Sequence, residues 1–432
     1  MNKFNLFSLI GYARILLIDF FGGTSIISTL KRFKHESLLP IDDLQKLSKE
    51  RLNKLLSIAK SSTIFYKNAN HYESLTVLDK ATIRQNHDDL ISRDFKQKMY
   101  PKSTGGSTGI PLNYLTTPAS RSAMWAGILM AWEVAGYKWG DKVAFIAGTS
   151  IVKSNFKHKL FYSLFNIEVY SVYDLSDKNI ENYICRLNKS KVAIIYGYAS
   201  ALGHIANYIL RHGPIEFPNL KGIVCTAEVL TENTRHLIQT AFFVPVYNQY
   251  GCNEAGVSAY ECKYHHLHLI SSRSYYEVDM DQHLLSTDLT NHGFIVMKYK
   301  TGDMIEFDDT AVCECKSNYP IIKHIMGRTC DIVTDYEGHS LHSCFFNILF
   351  RDDKSIKQFQ IIFSDTTLKI YLNVNPDLAV EAHYEKYITE IKKHLHFDSY
   401  KLIFNAPFLK FENAKHRYVI QEDQNKAYEN LV

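Results

Sequence analysis

The sequence predicts an α/β protein: a large body of mostly parallel sheet covered by helices, followed by a small α+β domain. Three observations carry that expectation. The chain has 432 residues, 46% hydrophobic and 22% charged, with 20 Gly and 10 Pro, the balance of a globular chain of about two or three folding units. Between residues 140 and 250, short β-rich runs alternate with helical apolar stripes, the rhythm of strand–helix–strand units. Beyond Gly327 the pattern changes to strand, strand, helix, strand.

Taken in order, Phe4–Ile10 and Ile15–Phe21 are strongly apolar but interrupted by Arg14 and Asp19. Neither is a secretory signal or a spanning helix on that pattern. Two readings remain: a segment resting on a membrane surface, helped by Lys31, Arg32 and Lys34, or a helix packed on the body. Residues 42–59 predict a helix, started by Asp42 or Asp43 and striped by Leu44, Leu47, Leu52, Leu55, Leu56 and Ala59. Strands are predicted at Val143–Ala147, Val192–Ile195, Ile223–Cys225 and Val244–Tyr247, with Leu202, Ile205, Ala206, Ile209 and Leu210 on one face of an intervening helix. In the last hundred residues or so, Ile356–Phe363 and Leu368–Val374 predict two strands turning at Ser364 and Asp365. Tyr384, Tyr387, Ile388, Ile391 and Leu395 follow at helical spacing, and Lys401–Phe404 is a third strand. The predicted division is 1–327, opening on an apolar and basic segment at 1–35, and 328–432.

Charge and cysteine content exclude some classes. Lys+Arg 49 against Asp+Glu 45 leaves +4, dispersed along the chain, so no nucleic-acid partner is expected. Eight cysteines are too sparse for a disulfide scaffold and fit a cytoplasmic protein with reduced or metal-bound thiols.

The most informative stretch is Ser103-Thr104-Gly105-Gly106-Ser107-Thr108-Gly109. Glycines let the backbone approach a ligand closely, successive N–H groups can point at one anion, and the hydroxyls add donors suited to a polyphosphate. It is not a Walker A loop, because Ile110 and Pro111 follow the last glycine where that motif needs Lys and Ser/Thr. Tyr250-Gly251-Cys252-Asn253-Glu254 places a carboxylate just after a strand, where Mg²⁺ can be held beside phosphates. Thr301-Gly302-Asp303 offers a turn-borne carboxylate suited to a ribose diol, and Gly327-Arg328-Thr329-Cys330-Asp331 lies at the predicted boundary.

In order and spacing these segments resemble the adenylate-forming superfamily, specifically the phenylacetate–CoA ligase family with its relatives in capsular polysaccharide biosynthesis. The resemblance implies a large N-terminal adenylate-forming domain and a small mobile C-terminal lid. It implies that residues 103–109 bind the phosphates of ATP, that Tyr250, Gly251, Asn253 and Glu254 reach nucleotide and metal, and that Asp303 takes the ribose hydroxyls. Arg328 begins the hinge, and Ala227 and Glu228 stand where relatives carry a Gly-Glu step near the adenine. Ala414-Lys415-His416-Arg417-Tyr418-Val419-Ile420 resembles the family's closing segment, whose lysine serves adenylation, so Lys415 joins Glu254 and Arg328 as an expected catalytic residue. Leu78–Arg84 and Tyr196-Gly197-Tyr198 look like the capsule-type members; Tyr137, Tyr196, Gly197 and Tyr198 are candidates for the acyl pocket, with packing in the core as the alternative. Asn253, Ala227 and Ala414 replace the family's usual Thr, Gly and Gly, which removes no charged group.

Cys262, His268, Cys313 and Cys315 bracket the Thr-Gly-Asp segment and form a candidate Cys₃His zinc set, with His265 and His266 as rival ligands. Some family members look similar here. The reading as a whole is an ATP- and Mg²⁺-dependent ligase that activates a small carboxylate and passes it to CoA. Alternatives are transfer to an amine in polysaccharide or secondary-metabolite assembly, and a non-catalytic nucleotide-binding relative. The sequence leaves the acid, the acceptor and the oligomeric state open.

Overall fold

The computed structural model describes residues 6–104, 112–147, 156–172, 175, 177–328, 332–342, 346, 349–350, 353, 355–375, 381–409 and 419–422. The chain divides into two compact units, Met1–Leu230 with Leu237–Ile325, and Thr231–His236 with Met326–Val432.

The first unit opens with helices α1 (Leu6–Gly22), α2 (Ile26–Glu36) and α3 (Ile41–Ser62). Asp19 starts α2 by accepting from Ile26 N (2.7 Å) and Ile27 N (3.3 Å), which satisfies amide groups that a helix start leaves without partners. The stripe expected on α3 is buried at Leu44, Leu52, Leu55, Leu56 and Ala59. After the short α4 (Lys80–Gln85), capped by Asp79 on Thr82 N at 2.7 Å, comes a hairpin of β1 (Tyr100–Ser103) and β2 (Asn113–Thr116). Then α5 (Pro118–Val134) is started by Thr117, which accepts from Ser120 N, with Pro118 at the first helical position.

The main sheet has eleven strands. Its first half is β3 (Val143–Ala147), β4 (Ile167–Ser171), β5 (Ile194–Tyr198), β6 (Gly222–Thr226) and β7 (Val246–Cys252), connected through helices α6 (Phe156–Leu164), α7 (Asp177–Lys189), α8 (Ala199–His212) and α9 (Glu232–Phe242). These five strands are parallel, in the order β7-β6-β5-β3-β4, and apolar runs such as Val143–Ala147 are buried throughout, as a sheet covered on both faces requires. Its second half is β8 (Val257–Glu261), β9 (Leu267–Leu269), β10 (Ser274–Val278), β11 (His283–Asp288), β12 (Tyr299–Phe307) and β13 (Ile321–Arg328), continuing as β8-β9-β13-β12-β11-β10. There the pairings β7–β8, β8–β9, β9–β13, β10–β11 and β11–β12 are antiparallel. The parallel expectation therefore holds for the strands joined by helices and gives way at β7–β8, β8–β9, β10–β11 and β11–β12, where short connections return the chain alongside itself.

In the second unit, β14 (Ile332–Thr334) and β15 (Ser340–His342) form a hairpin, and β16 (Ile356–Phe363), β17 (Thr367–Val374), β18 (Ser399–Phe404) and β19 (Val419–Gln421) form a four-stranded sheet, order β18-β17-β16-β19, with α10 (Glu381–Ile391) between β17 and β18 in sequence. Its core holds Ile361, Leu368, Ile370, Leu372, Tyr384, Ile391 and Leu395. The expected strand–strand–helix–strand pattern is present, and β19 adds a strand parallel to β16.

Candidate active site

Two features of the first unit come together around the β1–β2 hairpin. Thr104 N donates to Leu112 O at 3.0 Å, and Leu112 N donates to Thr104 Oγ1 at 3.1 Å. Ser103 and Thr104 thus form one stem of the Gly-rich segment; Gly105, Gly106, Ser107, Thr108 and Gly109 lie outside the described residues. Lys102, on β1 next to Ser103, was not singled out from sequence. Its Nζ lies 3.1 Å from Met124 Sδ, a weak acceptor. Burial pushes this lysine down to about 8, helped by the charges of Arg273 and Arg121 and opposed by the nearby Glu254 carboxylate.

Glu254 sits in a short helical turn, Asn253–Ala255, at the end of β7. The turn returns through Gly256 at φ 71°, where an added Cβ would lie 2.5 Å from Asp288 Cβ, so only glycine fits. Glu254 is half-buried. The turn is held from beneath by Arg273, which is fully buried and donates to Val257 O (3.2 Å), Ser258 Oγ and Asn253 Oδ1 (3.2 Å). No periodicity marks Arg273 in the sequence, because it follows directly on Ser271 and Ser272 in an irregular corner.

Tyr250 donates its hydroxyl to Asp303 Oδ2 at 2.7 Å. Asp303 does not lie in a turn, as expected, but within β12, where the register with β11 shifts between His283 and Leu285. Gly302 at φ 83° makes this irregularity possible, and Thr301 Oγ1 accepts from Asp303 N at 3.1 Å. A bulge re-aims the side chain as a turn would. Tyr250, Gly251, Asn253 and Glu254 thus share one segment, tied to Asp303 by a direct hydrogen bond and electrostatically linked to the hairpin stem through Lys102.

Ala227 takes φ 67°, a left-handed conformation that favours the glycine it replaces. The Glu228 carboxylate accepts from Ser200 N (2.8 Å) and Ser200 Oγ (3.0 Å) at the start of α8, so a residue expected near adenine also caps a helix. Arg328 ends β13. Lys415, with Thr329, Cys330 and Asp331, lies outside the described residues.

No model of a known protein family matches the chain. Protein CapK of Staphylococcus aureus is 28% identical over 323 residues, 68% of this chain and 70% of CapK. Among solved structures, 2-hydroxyisobutyryl-CoA ligase, in the postadenylation state and in complex with 2-HIB-AMP, superposes with a TM-score of 0.70 at 16% identity, covering 90% of this chain and 92% of that one. The chain shares its fold with that ligase. The anthranilate CoA ligase AuaEII, in complex with anthranoyl-AMP, matches over 75% of this chain and 67% of its own, at 12% identity and a TM-score of 0.50.

Within this fold, Tyr137 and Tyr196 belong to an aromatic core: their rings lie 5.5 and 5.7 Å from that of Trp132, and Trp125 stacks on Phe165 at 4.5 Å. Tyr196 donates to Gln249 Oε1 at 2.6 Å, and burial pushes its hydroxyl up to about 12. Gly197 is pressed against the neighbouring strand, where an added Cβ would lie 2.7 Å from Ile146 O, and Tyr198 is half-buried at the end of β5.

The structure brings Cys262, His268, Cys313 and Cys315 together, with one ligand atom from each lying within 4.8 Å of all the others. Cys262 Sγ is 3.5 Å from Cys313 Sγ, and Cys315 Sγ is 3.3 Å from His268 Nε2. These match the edges of a tetrahedron around zinc, about 3.3–3.8 Å for zinc–ligand bonds of roughly 2.0–2.3 Å, and are far too long for a disulfide. His268 Nδ1 faces Tyr319 O at 3.0 Å, which turns Nε2 toward the thiols. Cys315 N and Ser317 N donate to Cys313 Sγ (3.5 Å) and Cys315 Sγ (3.4 Å). Of the rivals, His265 is paired with Glu261 at 3.0 Å.

Proposed function

We propose that the chain is an ATP-dependent carboxylate-activating ligase. The observation that carries this reading is the convergence of the hairpin stem at Lys102–Thr104 with the Tyr250–Glu254 segment and Asp303, within a fold shared with ligases solved as acyl-AMP complexes. A carboxylate oxygen attacks the α-phosphorus of ATP, the bond to the β-phosphate oxygen breaks, and pyrophosphate leaves. Because two anions must meet, the protein's work is positioning and charge neutralisation. Residues 103–109 hold the phosphates, Asp303 accepts from the ribose hydroxyls, and Lys102 and Lys415 supply positive charge. Glu254 is the residue that holds Mg²⁺, which screens the phosphates.

In the second step a nucleophile attacks the acyl carbon and AMP leaves. The proposed acceptor is the thiol of CoA, which the 2-hydroxyisobutyryl ligase also carries in one of its complexes. A second reading, transfer to an amine in polysaccharide assembly, rests on the resemblance of Leu78–Arg84 and Tyr196-Gly197-Tyr198 to the capsule-type members. Cys262, His268, Cys313 and Cys315 hold a structural zinc ion, supported by the clustering of their ligand atoms and by the 3.5 and 3.3 Å separations within two of the pairs, and the site of action is cytoplasmic.

The deciding experiment is ATP–pyrophosphate exchange over a carboxylate library, followed by addition of CoA or amines to the active pair. Carboxylate-dependent exchange is expected. Nucleotide binding without exchange for any acid points instead to a non-catalytic relative.

A further inference from the structure

The outer face of α1 is anomalous for a protein surface. Eighteen large apolar side chains stand exposed among the described residues, and seven of them are on this one helix. Phe20 and Phe21 are 80% and 79% exposed. At about 100° per residue, Leu9, Ile10, Leu16, Leu17, Phe20 and Phe21 fill one continuous sector of about 140° that contains no charge. Isolated surface leucines are ordinary, but a contiguous apolar face marks an interaction site.

The opposite face is fixed to the body. Ile15 and Ile18 are buried, and Gly11 lies against the Trp139–Gly140 turn so closely that a Cβ would come within 2.1 Å of Gly140 N. The helix therefore cannot roll its apolar sector inward. Nor is any single helix among the described residues long and apolar enough to cross a membrane.

Charge says what covers this face. Asp19, the acid on α1, is turned inward, accepting from Thr24 Oγ1 (2.7 Å) as well as from Ile26 and Ile27 N. Arg14 borders the apolar sector, and Lys31, Arg32 and Lys34 are exposed on the adjoining α2. Lys34 and Arg32 are partly offset by Glu133 (2.6 Å) and Glu36 (3.8 Å). An apolar face rimmed by cations complements a bilayer with anionic headgroups. A second copy of the chain fits less well, because a twofold contact through this face would set the cations against their own equivalents.

We propose that α1 lies in the plane of an anionic lipid surface, its outer face inserted among the acyl chains and α2 contributing headgroup contacts, so that the protein is a peripheral membrane protein. The inference is independent of the catalytic reading. The test is co-flotation of the full chain with phosphatidylcholine vesicles, with and without phosphatidylglycerol. Binding is expected with phosphatidylglycerol, weaker in high salt, and at least about tenfold lower for the double variant Phe20→Glu/Phe21→Glu. Thermal unfolding of the variant, expected unchanged, shows that the loss is not misfolding; should it unfold early, Leu16→Ser/Leu17→Ser gives the same comparison. Failure to float with either vesicle overturns the proposal. So does a dimer in sedimentation velocity that Phe20→Glu/Phe21→Glu abolishes while vesicle binding persists.

Discussion

The hydroxyl of Tyr250 donates to Asp303 Oδ2 at 2.7 Å across 53 residues of sequence, joining strand β7 to a bulge in β12. Removing either partner tests different things. Asp303→Ala removes both the tether and the proposed ribose acceptor, whereas Tyr250→Phe removes only the tether. A hydrogen bond to a charged group is worth about 1.5–3 kcal/mol, so Asp303→Ala is expected to weaken ATP binding by roughly ten- to a hundredfold, and Tyr250→Phe by less. Equal ATP affinity in both variants, measured by calorimetry, would remove the ribose role.

Ala227 stands at φ 67°, where a Cβ costs about 1–2 kcal/mol. Glycine relieves that strain but loses part of the gain through the extra freedom of the unfolded chain. Ala227→Gly is therefore expected to raise stability by up to about 1 kcal/mol, and the β-branched Ala227→Val to lower it by more. Urea unfolding reads both, and a destabilising Ala227→Gly contradicts the backbone argument.

Lys102 makes a pH prediction. With its amine down at about 8 from the ordinary 10.5, the unfolded chain binds more protons than the folded one between those values. This group's contribution therefore raises stability as pH climbs through that window, and its burial cost is fully present below about 8. Function runs the other way, because a phosphate is held by the protonated form. ATP affinity is expected to be flat below pH 8 and to fall above it, with the break missing in Lys102→Met. A wild-type profile without a break near 8 argues against phosphate contact.

The parts of the fold that could be read from sequence are those in which one pattern dominates. Val143–Ala147 is a continuous apolar run and became a fully buried strand, and the helical stripe through Tyr384, Tyr387 and Ile391 became the inner face of α10. The antiparallel half of the sheet escaped because its buried positions are chemically mixed. Ser258, Glu261, His268, Ser286, Thr287 and Asp288 are all buried strand residues, paid for by hydrogen bonds that no periodicity announces. The site followed the same logic. Gly251 and Gly302 mark the Glu254 and Asp303 segments as places where the backbone bends, but Gly302 alone does not tell a bulge from a turn. Lys102 and Arg273 were missed because a lone cation in a short strand or corner looks like solvent-facing charge until the fold surrounds it.

Lys415 carries the sharpest catalytic expectation. A preorganised donor aimed at charge that develops only in the transition state is worth about 10²–10³ in rate. Lys415→Ala is expected to slow ATP–pyrophosphate exchange by that factor while leaving ATP affinity and thermal unfolding nearly unchanged. Exchange at the wild-type rate would make it an ordinary surface lysine.

The zinc set makes the last prediction, one that activity does not enter. Cys262 and Cys313 are buried with their sulfurs 3.5 Å apart, and without a cation burial pushes the Cys315 thiol up to about 12. Zinc replaces those protons, so its binding energy is folding energy and its removal releases stability with it. The purified protein is expected to carry one zinc by elemental analysis, to melt at a lower temperature after treatment with a strong chelator, and to recover on zinc addition. Cys313→Ser is expected to lose both the metal and the chelator response. Metal-free protein that melts like the untreated sample, with thiols no more reactive than before, would leave these four side chains as a packed cluster and nothing more.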